Sequence, residues 1–339
     1  MVSSSSRHDP IRIEPDCDLI EADDFFSDAA SSLMSSSASL SSSIMRYRIE
    51  NGRTYHAYKD GMYLGPNDDP EQERLELQHT LCILTFDCLY LCPAGKDLKY
   101  PIDRVLDLGT GTGCWALELA AEFPEAHITG VDLSPIQPPY VPPNVDFHVD
   151  DVEDPWTYSA KFNFIYARFL TACIGDWPRL FKQCYDNLEP GGWFEVVDVL
   201  PPTSDDGSMA EDTALGKWSR LLLEGTTTFG RPLDAALKYK EQMEEAGFKD
   251  VVELKYQWPQ NRWPEEPKLK DLGQWAYENI NNGLEAISNA IFTRFLGWSK
   301  EELDEFLVDL REDLKNEEIH AYWPVQVLPA FPLVCKESC

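Results

Sequence analysis

Apolar and polar residues alternate most regularly in the central part of the chain. Residues 105–108 form an apolar run interrupted only by Asp107, which is typical of a buried strand. A glycine-rich turn follows, then residues 114–121 with the apolar content of a packed helix, then a second apolar run that ends at Asp132. Strands continue to alternate with helical segments as far as Leu200, which predicts an α/β fold with a doubly wound parallel sheet.

Helical spacing is also present on both sides of this core. Within residues 70–92, Leu75, Leu81, Leu84 and Cys88 fall at helical intervals, which predicts a helix ahead of the sheet. Beyond the core, the sequence predicts helices at 212–223 and 234–246, a sixth strand at 250–258, a helical insertion at 267–314 and a last strand at 320–328.

The N-terminal segment has a different composition. Residues 1–45 are rich in serine and acidic residues and contain too little apolar surface to offset the entropy of ordering, so we expect a disordered tail. The patterns together predict a tail (1–45), an N-terminal helical lid segment (46–100), a ligand-binding core (101–200), cap helices with the sixth strand (201–318), and a last strand with a C-terminal tail (319–339).

Charge and cysteine usage narrow the class of protein. The formal net charge is −30, which argues against partners with a phosphate backbone or an anionic membrane surface. No secretory signal and no apolar run long enough to span a membrane is present, so we expect a cytoplasmic protein. The nine cysteines are scattered without a CxxC pair, which favours reduced thiols and no metal site.

The glycine turn indicates which kind of ligand the core binds. Gly109, Gly111 and Gly113 are spaced G-x-G-x-G, whereas a dinucleotide fingerprint is G-x-G-x-x-G. Asp107 precedes the turn and would repel a pyrophosphate but suit an ammonium or sulfonium group. Asp132 ends the next strand, where a carboxylate can accept both hydroxyls of a ribose. A nucleoside with an amino-acid tail and no phosphate fits both acids.

S-adenosylmethionine is such a ligand, and the chain resembles the class I methyltransferases, with a Rossmann-like sheet. The third strand ends in an acidic pair, and a Glu-Pro-Gly-Gly turn leads into the fifth strand, as in that family. The resemblance implies that Asp151 accepts from the exocyclic amine of the adenine and that the Val152 backbone meets the ring. The implied cofactor-binding residues are Asp107, Gly109, Thr110, Gly111, Gly113, Asp132, Leu133, Asp151, Val152 and Tyr166.

A narrower resemblance covers about residues 46 to 325. The run Asp-Leu-Ser-Pro-Ile-Gln-Pro at 132–138, together with motifs at 174–177, 258–263 and 319–322, is similar to the LaeA-like fungal methyltransferases. That family is tied to fungal secondary metabolism, through regulators or through enzymes that methylate a pathway intermediate. One departure is the pair Pro329 and Pro332, which cannot donate to a strand ladder and predict a last strand that is shortened or at an edge.

The catalytic residues are less defined than the cofactor site. In methyl transfer the acceptor attacks the sulfonium methyl in line, and the protein chiefly holds the two reactants, so no unique base is required. Weak candidates are Tyr58, His79, Tyr166 and Arg168. Further candidates are Tyr55 in the N-terminal lid segment, and Asp176 and Trp177 after the fourth strand. His79 fits a structural hydrogen-bond partner better than a base. Tyr55, Tyr58 and Tyr63 are expected to close over the methyl donor as a lid.

The sequence therefore predicts an S-adenosylmethionine-dependent methyltransferase that acts on a small-molecule intermediate of fungal secondary metabolism. The alternative is a LaeA-type regulator that acts through protein partners in the nucleus, which a basic localisation run would favour. A third interpretation, a non-methylating rearrangement on the same fold, would be signalled by loss of Asp107 or of the turn glycines, and these are intact. The acceptor atom, the substrate and the oligomeric state are left open.

Overall fold

The centre of the fold is a nine-stranded mixed sheet. The structure, a computed structural model, describes residues 11–12, 47–96 and 101–332. The strands in this part of the chain are β1 (Ile11–Arg12), β2 (Arg48–Glu50), β3 (Arg53–Tyr55), β4 (Arg104–Leu108), β5 (His127–Asp132), β6 (Val145–Val149), β7 (Phe162–Arg168), β8 (Leu188–Val199), β9 (Phe248–Lys249), β10 (Leu254–Pro259) and β11 (Tyr322–Pro332). Strands β2 and β3 form a separate hairpin.

Helices pack on the sheet and extend beyond it. They are α1 (Asp69–Phe86), α2 (Cys114–Glu122), α3 (Trp177–Asn187), α4 (Ala214–Thr228), α5 (Tyr239–Ala246), α6 (Pro267–Ala290) and α7 (Lys300–Lys315). A 3₁₀ turn precedes α5 at Ala235–Lys238, and a π turn follows α6 at Ile291–Phe295. The predicted cap helices are confirmed, although α4 ends later than predicted and the predicted helix at 234–246 begins with the 3₁₀ turn.

The strand order confirms the predicted doubly wound sheet. Along the sheet the order is β1-β6-β5-β4-β7-β8-β11-β10, and the pairs from β6 through β8 are parallel. The chain turns to one side of β4 with β5 and β6, and to the other side with β7 and β8. Ligands of such sheets bind at the carboxyl ends of the strands beside this switch point. The fold therefore places the predicted site at the ends of β4, β5 and β7.

The turn between β4 and α2 holds its three glycines in a left-handed backbone conformation. Gly109, Gly111 and Gly113 have φ of 67°, 56° and 82°, a region that is unfavourable for residues with a Cβ. A Cβ on Gly109 would lie 2.4 Å from Leu170 Cδ2, and one on Gly113 would lie 2.5 Å from Phe147 Cζ. The backbone at this turn is thus fixed by conformation and by close packing together.

The helix predicted ahead of the sheet is confirmed as α1, but only part of its predicted apolar face is buried: Leu81 is fully buried and Leu75 lines a cavity. The helix ends at Phe86, so Cys88 lies in the loop that follows it. Leu84 is 38% exposed, whereas polar residues of α1 are buried. The buried polar residues of this helix are Glu71, Arg74, His79 and Thr85. The apolar pattern misled here because this side of α1 lines two cavities and contacts polar partners.

The last strand is not shortened at its prolines. Strand β11 lies between β8 and β10 and pairs with β8 as far as Ala330. The carbonyl of Pro329 accepts from Val252 N, on the side away from β8. On that side, the pairing of β11 with β10 extends only as far as Val327, opposite Leu254. In an antiparallel strand the N–H and the C=O of one residue point to the same side. The C=O of Pro329 points away from β8, so the N–H that proline lacks would not have bonded to β8.

The N-terminal part of the described chain is a hairpin followed by α1, where a helical lid was predicted. Strand β1 pairs antiparallel with β6, through Ile11 opposite Val149 and Arg12 opposite His148. The rest of the predicted tail lies outside the described residues. In the described part of the chain, no helix is long and apolar enough to cross a membrane.

Candidate functional site

A cavity opens at the carboxyl ends of β4, β5, β6 and β7, where sheets of this topology bind their ligands. We call it the first cavity. All of the predicted cofactor-binding residues line it except Gly113, which packs behind the turn. Those that do are Asp107, Gly109, Thr110, Gly111, Asp132, Leu133, Asp151, Val152 and Tyr166. The structure therefore brings together residues that four separate strand ends contribute.

Asp107 places a buried carboxylate in the wall of the first cavity. Its side chain is only 3% exposed, and Thr110 Oγ1 donates to Oδ2 at 2.6 Å. Burial disfavours the charged form and raises the pKa of Asp107 to about 7, against the hydrogen bond from Thr110. A ligand ammonium group would stabilise the ionised form. Asp107 thus fits the amino group of an amino-acid tail.

Asp132 has a double role at the end of β5. Its Oδ2 accepts from Gly111 N at 2.8 Å, and its Oδ1 accepts from Ser134 N at 2.9 Å. Each carboxylate oxygen has a further lone pair, and Asp132 lines the first cavity. Burial raises the pKa of Asp132 above its ordinary value. The residue therefore fixes the glycine turn and retains acceptors for ribose hydroxyls.

Asp151 is linked to the segment that follows the N-terminal hairpin. Its Oδ1 accepts from Glu153 N at 2.8 Å, and its Oδ2 accepts from Lys59 Nζ at 2.8 Å. The same ammonium group donates to Asp154 at 2.6 Å. Lys59 thus joins the N-terminal segment to the acidic loop that the resemblance assigns to the adenine.

Tyr166 and Trp115 form an aromatic wall of the first cavity. Their rings stack with centroids 3.9 Å apart and an interplanar angle of 7°. The indole of Trp115 donates to the Leu89 carbonyl at 2.9 Å, which fixes the ring. Burial raises the pKa of Tyr166 well above its ordinary value, so its hydroxyl is a poor proton acceptor. Tyr166 therefore contributes an aromatic surface to the wall of the cavity.

His79 and Arg168, two of the weak catalytic candidates, contact each other. Arg168 Nη2 lies 3.0 Å from His79 Nδ1, and His79 Nε2 lies 3.1 Å from Glu118 Oε2. Because a guanidinium can only donate, Nδ1 is the acceptor and the proton of the neutral ring is on Nε2. Burial, followed by the charge of Arg168, lowers the pKa of His79. His79 is therefore a neutral ring that orients Arg168.

Of the three tyrosines that were predicted to close over the methyl donor, only Tyr63 lines the first cavity. Tyr63 lines the first cavity together with Met62, whereas Tyr58 is not among the lining residues. Tyr55 is buried between cations, with Arg48 and Arg294 centred 5.5 and 5.3 Å from its ring. Within the predicted lid segment, residues 59–67, which we call the lid from here on, contribute Met62 and Tyr63 to the lining of the cavity.

We expect Lys59→Gln to raise the dissociation constant of S-adenosylhomocysteine about fivefold. The pair is partly exposed, so its loss is worth about 1 kcal/mol at most, and the lid would detach from the Asp151 loop more often. Lys182→Gln is a matched control, since Lys182 pairs with Asp186 on an exposed face of α3. Calorimetric titration measures both variants. Equal affinities of the two would contradict the contribution of the lid.

Other predicted residues lie outside the cavity, and several lining residues were not predicted. Asp176 caps α3 by accepting from Arg179 N, and Trp177 is buried in the core. The lining residues that sequence reasoning missed include Leu75, Gln78, Trp115, Ser134 and Arg231. Ser134 lies in the run at 132–138 that was noted only for the family resemblance, whereas the others come from helices and loops whose placement depends on packing. Within the described ranges, no three His, Cys, Asp or Glu side chains converge as metal ligands.

Comparisons with known proteins agree with this geometry. Residues 63–254 match the family model described as a methyltransferase domain. The chain is 38% identical to methyltransferase pytC of Aspergillus terreus, over 97% of this chain and 99% of that protein. It is 38% identical to the probable methyltransferase tdiE of Emericella nidulans, over 86% and 92% of the two chains. It is 36% identical to the secondary metabolism regulator laeA of Aspergillus fumigatus, over 80% and 73%.

Proposed function

We propose that this chain, which belongs to the methyltransferase-domain family, methylates a small molecule of fungal secondary metabolism. One observation supports a small molecule as the methyl acceptor. A second, largely apolar cavity adjoins the first and shares Tyr63, Leu75, Gln78, Phe169 and Cys173 with it. Concave apolar cavities of this kind are typical of small-molecule sites. An acceptor in the second cavity would meet a methyl donor in the first across this shared wall.

S-adenosylmethionine is the methyl donor of this family, and the residues of the first cavity fit it. Asp107 would hold the ammonium group, Asp132 the ribose hydroxyls and Asp151 the exocyclic amine. Arg168, in the same wall, is placed to hold the carboxylate of the tail. When bound, the cofactor supplies an electrophilic methyl group. The chain's own contribution is to hold the two reactants in line and to exclude water beneath the lid.

No described side chain at the shared wall is suited to accept a proton. Burial raises the pKa of Cys173 and raises the pKa of Tyr63 well above its ordinary value. Gln78 does not titrate, and both ring nitrogens of His79 face other side chains. The acceptor therefore attacks the methyl carbon without help from a base of the chain, and any proton that it carries leaves to solvent after the transfer. The chain positions the acceptor but does not activate it.

If His79 orients Arg168 and is no base, His79→Gln will raise the KM for S-adenosylmethionine about three- to tenfold and leave kcat within about twofold. The glutamine amide oxygen can still accept from Arg168, although at a different position. Loss of a general base would instead lower kcat by about 10² or more. Steady-state kinetics at saturating acceptor separate the two roles. A large fall in kcat with an unchanged KM would refute the positioning role.

The regulator alternative has less support. The match to pytC spans nearly the whole of both chains, whereas the laeA relative extends well beyond the matched part.

We also propose a cytoplasmic location. It is supported by the six described cysteines, which form no disulfide, as is usual in a reducing compartment.

The proposed function is tested by following the methyl group. The protein is incubated with S-adenosylmethionine that carries a deuterated methyl group, together with metabolites extracted from a strain of its organism that lacks the gene. We expect the label in an extracted small molecule, detected by mass spectrometry, and none with Asp132→Ala. Label found only in protein would contradict the proposal and favour the regulator alternative.

A further inference from the structure

The second cavity presents aromatic surfaces without their polar edges. It is lined by Phe169, Trp258 and Trp323 among mostly apolar groups. The indole of Trp258 donates to Thr85 Oγ1 at 2.8 Å, and that of Trp323 donates to Gln260 Oε1 at 2.8 Å. Both partners lie outside the lining, so the rings offer carbon surface to a ligand. Such surfaces favour ring-bearing molecules.

One polar cluster lies in the wall of the second cavity. Arg74 donates to Glu71 through Nε at 2.9 Å and Nη2 at 2.6 Å, and to Asn279 Oδ1 through Nη1 at 2.9 Å. The three residues are 9%, 4% and 1% exposed, in the order Arg74, Glu71 and Asn279. A guanidinium has five N–H groups, and these bonds use three. Two remain for an oxygen of a ligand.

The position of this guanidinium is fixed by helix α6. A Cβ on Gly283 would lie 2.7 Å from Arg74 Cδ, so the helix backbone packs directly against the arginine side chain. Asn279, one turn earlier on α6, holds the other end of the guanidinium. A donor that is fixed in this way can discriminate between ligands, because its geometry does not adapt.

The charges of the second cavity balance. Glu71 and Arg74 are the only charged residues among the described lining groups, and they are paired with each other. The hydroxyls of Thr171 and Thr226 donate to the backbone carbonyls of Leu233 and Leu222. An ionised ligand would lose its hydration here without gaining a counter-charge. The cavity therefore favours a neutral molecule over an anion or a cation.

We propose that the second cavity is the acceptor site for a neutral, ring-bearing molecule whose carbonyl or hydroxyl oxygen accepts a hydrogen bond from Arg74. The rings lie against Trp258 and Phe169, whose centroids are 5.5 Å apart, and the nucleophilic atom faces the wall shared with the first cavity. The inference rests on the proposed function and specifies its substrate class. Arg74 sets specificity by reading the oxygen and takes no part in the transfer itself.

Three small probes test this assignment on protein saturated with S-adenosylhomocysteine. They are 1-tetralone, a neutral ring ketone; tetralin, which lacks the oxygen; and 1-tetralincarboxylate, an anion. Ligand-observed NMR competition gives their relative affinities. We expect 1-tetralone to bind about tenfold more tightly than tetralin, because one hydrogen bond to a charged donor is gained. The carboxylate should bind more weakly than the ketone. A carboxylate that binds as tightly as the ketone would overturn the inference.

Two variants place the probe in this cavity. Ala286 is a buried lining residue of α6, so Ala286→Leu fills the space and should weaken 1-tetralone about tenfold with S-adenosylhomocysteine affinity unchanged. Ala160→Leu adds the same atoms at an exposed position and should change neither. Arg74→Lys keeps the charge but loses the planar fork, and should remove the preference for 1-tetralone over tetralin.

The outcomes separate this inference from the proposed function. Unchanged 1-tetralone binding in Ala286→Leu, or an unchanged preference in Arg74→Lys, overturns the inference while the proposed function stands. Failure of the unmodified protein to bind S-adenosylhomocysteine overturns the proposed function itself.

Discussion

Asp132→Ala will weaken S-adenosylhomocysteine binding by about 100-fold or more. Two ribose hydroxyls lose a charged acceptor, at about 1.5–3 kcal/mol for each hydrogen bond, and 1.4 kcal/mol corresponds to a tenfold change. The substitution also removes the acceptor that Gly111 N and Ser134 N contact at 2.8 and 2.9 Å, so the glycine turn loses a restraint. Isothermal calorimetry on the folded variant measures the change.

A matched control separates this effect from a general loss of stability. Asp186→Ala is the same substitution on an exposed part of α3, where Asp186 pairs with Lys182. We expect unmodified affinity from this control and near-native circular dichroism from both variants. Retained affinity in a folded Asp132→Ala variant would show that the ribose binds elsewhere.

The second large effect is a dependence of cofactor affinity on pH. Asp107 has a pKa raised to about 7 by burial, and a bound ammonium group would lower it again. Binding therefore favours the ionised carboxylate, and affinity falls as pH drops below the raised pKa. We expect S-adenosylhomocysteine to bind about tenfold more weakly at about pH 6 than at about pH 8. One pH unit below its pKa, only about a tenth of the Asp107 carboxylate is ionised.

Asp107→Asn tests whether this carboxylate carries the effect. The amide has a similar shape but cannot ionise, so its affinity should be low and nearly flat across the same pH range. Asp132 and Asp150 also line the first cavity and have a raised pKa, whereas Glu195 and Asp198, with a pKa raised to about 7, do not line it. A tenfold pH effect that survives in Asp107→Asn would assign the titration to such a group and not to Asp107.

The cofactor side of the site could be predicted because its signals are local. The glycines from Gly109 to Gly113 and the acid Asp132 lie at the ends of consecutive strands, and the parallel topology brings such ends together. Their chemistry follows from residue type and order alone. The structure adds the bonds between them, such as the one from Gly111 N to Asp132, which no spacing rule specifies.

The acceptor side could not be predicted because it depends on contacts between distant parts of the chain. Arg74 and Asn279 are separated by 205 positions and meet only through the packing of α1 against α6. On α1 the apolar pattern indicated a leucine face, but Glu71 and Arg74 are also buried and line the second cavity. Local periodicity assumes that the buried side is apolar, and this fails where a helix lines a polar part of a cavity.

The central claim is that the first cavity binds S-adenosylmethionine with its tail at Asp107 and its ribose at Asp132. A crystal structure of the protein with S-adenosylhomocysteine tests it most directly. We expect both ribose hydroxyls within hydrogen-bond distance of the Asp132 carboxylate, the ammonium group at Asp107 and the adenine at Asp151 and Val152. A nucleoside that lies elsewhere, or one with its amino-acid tail away from Asp107, would contradict the account.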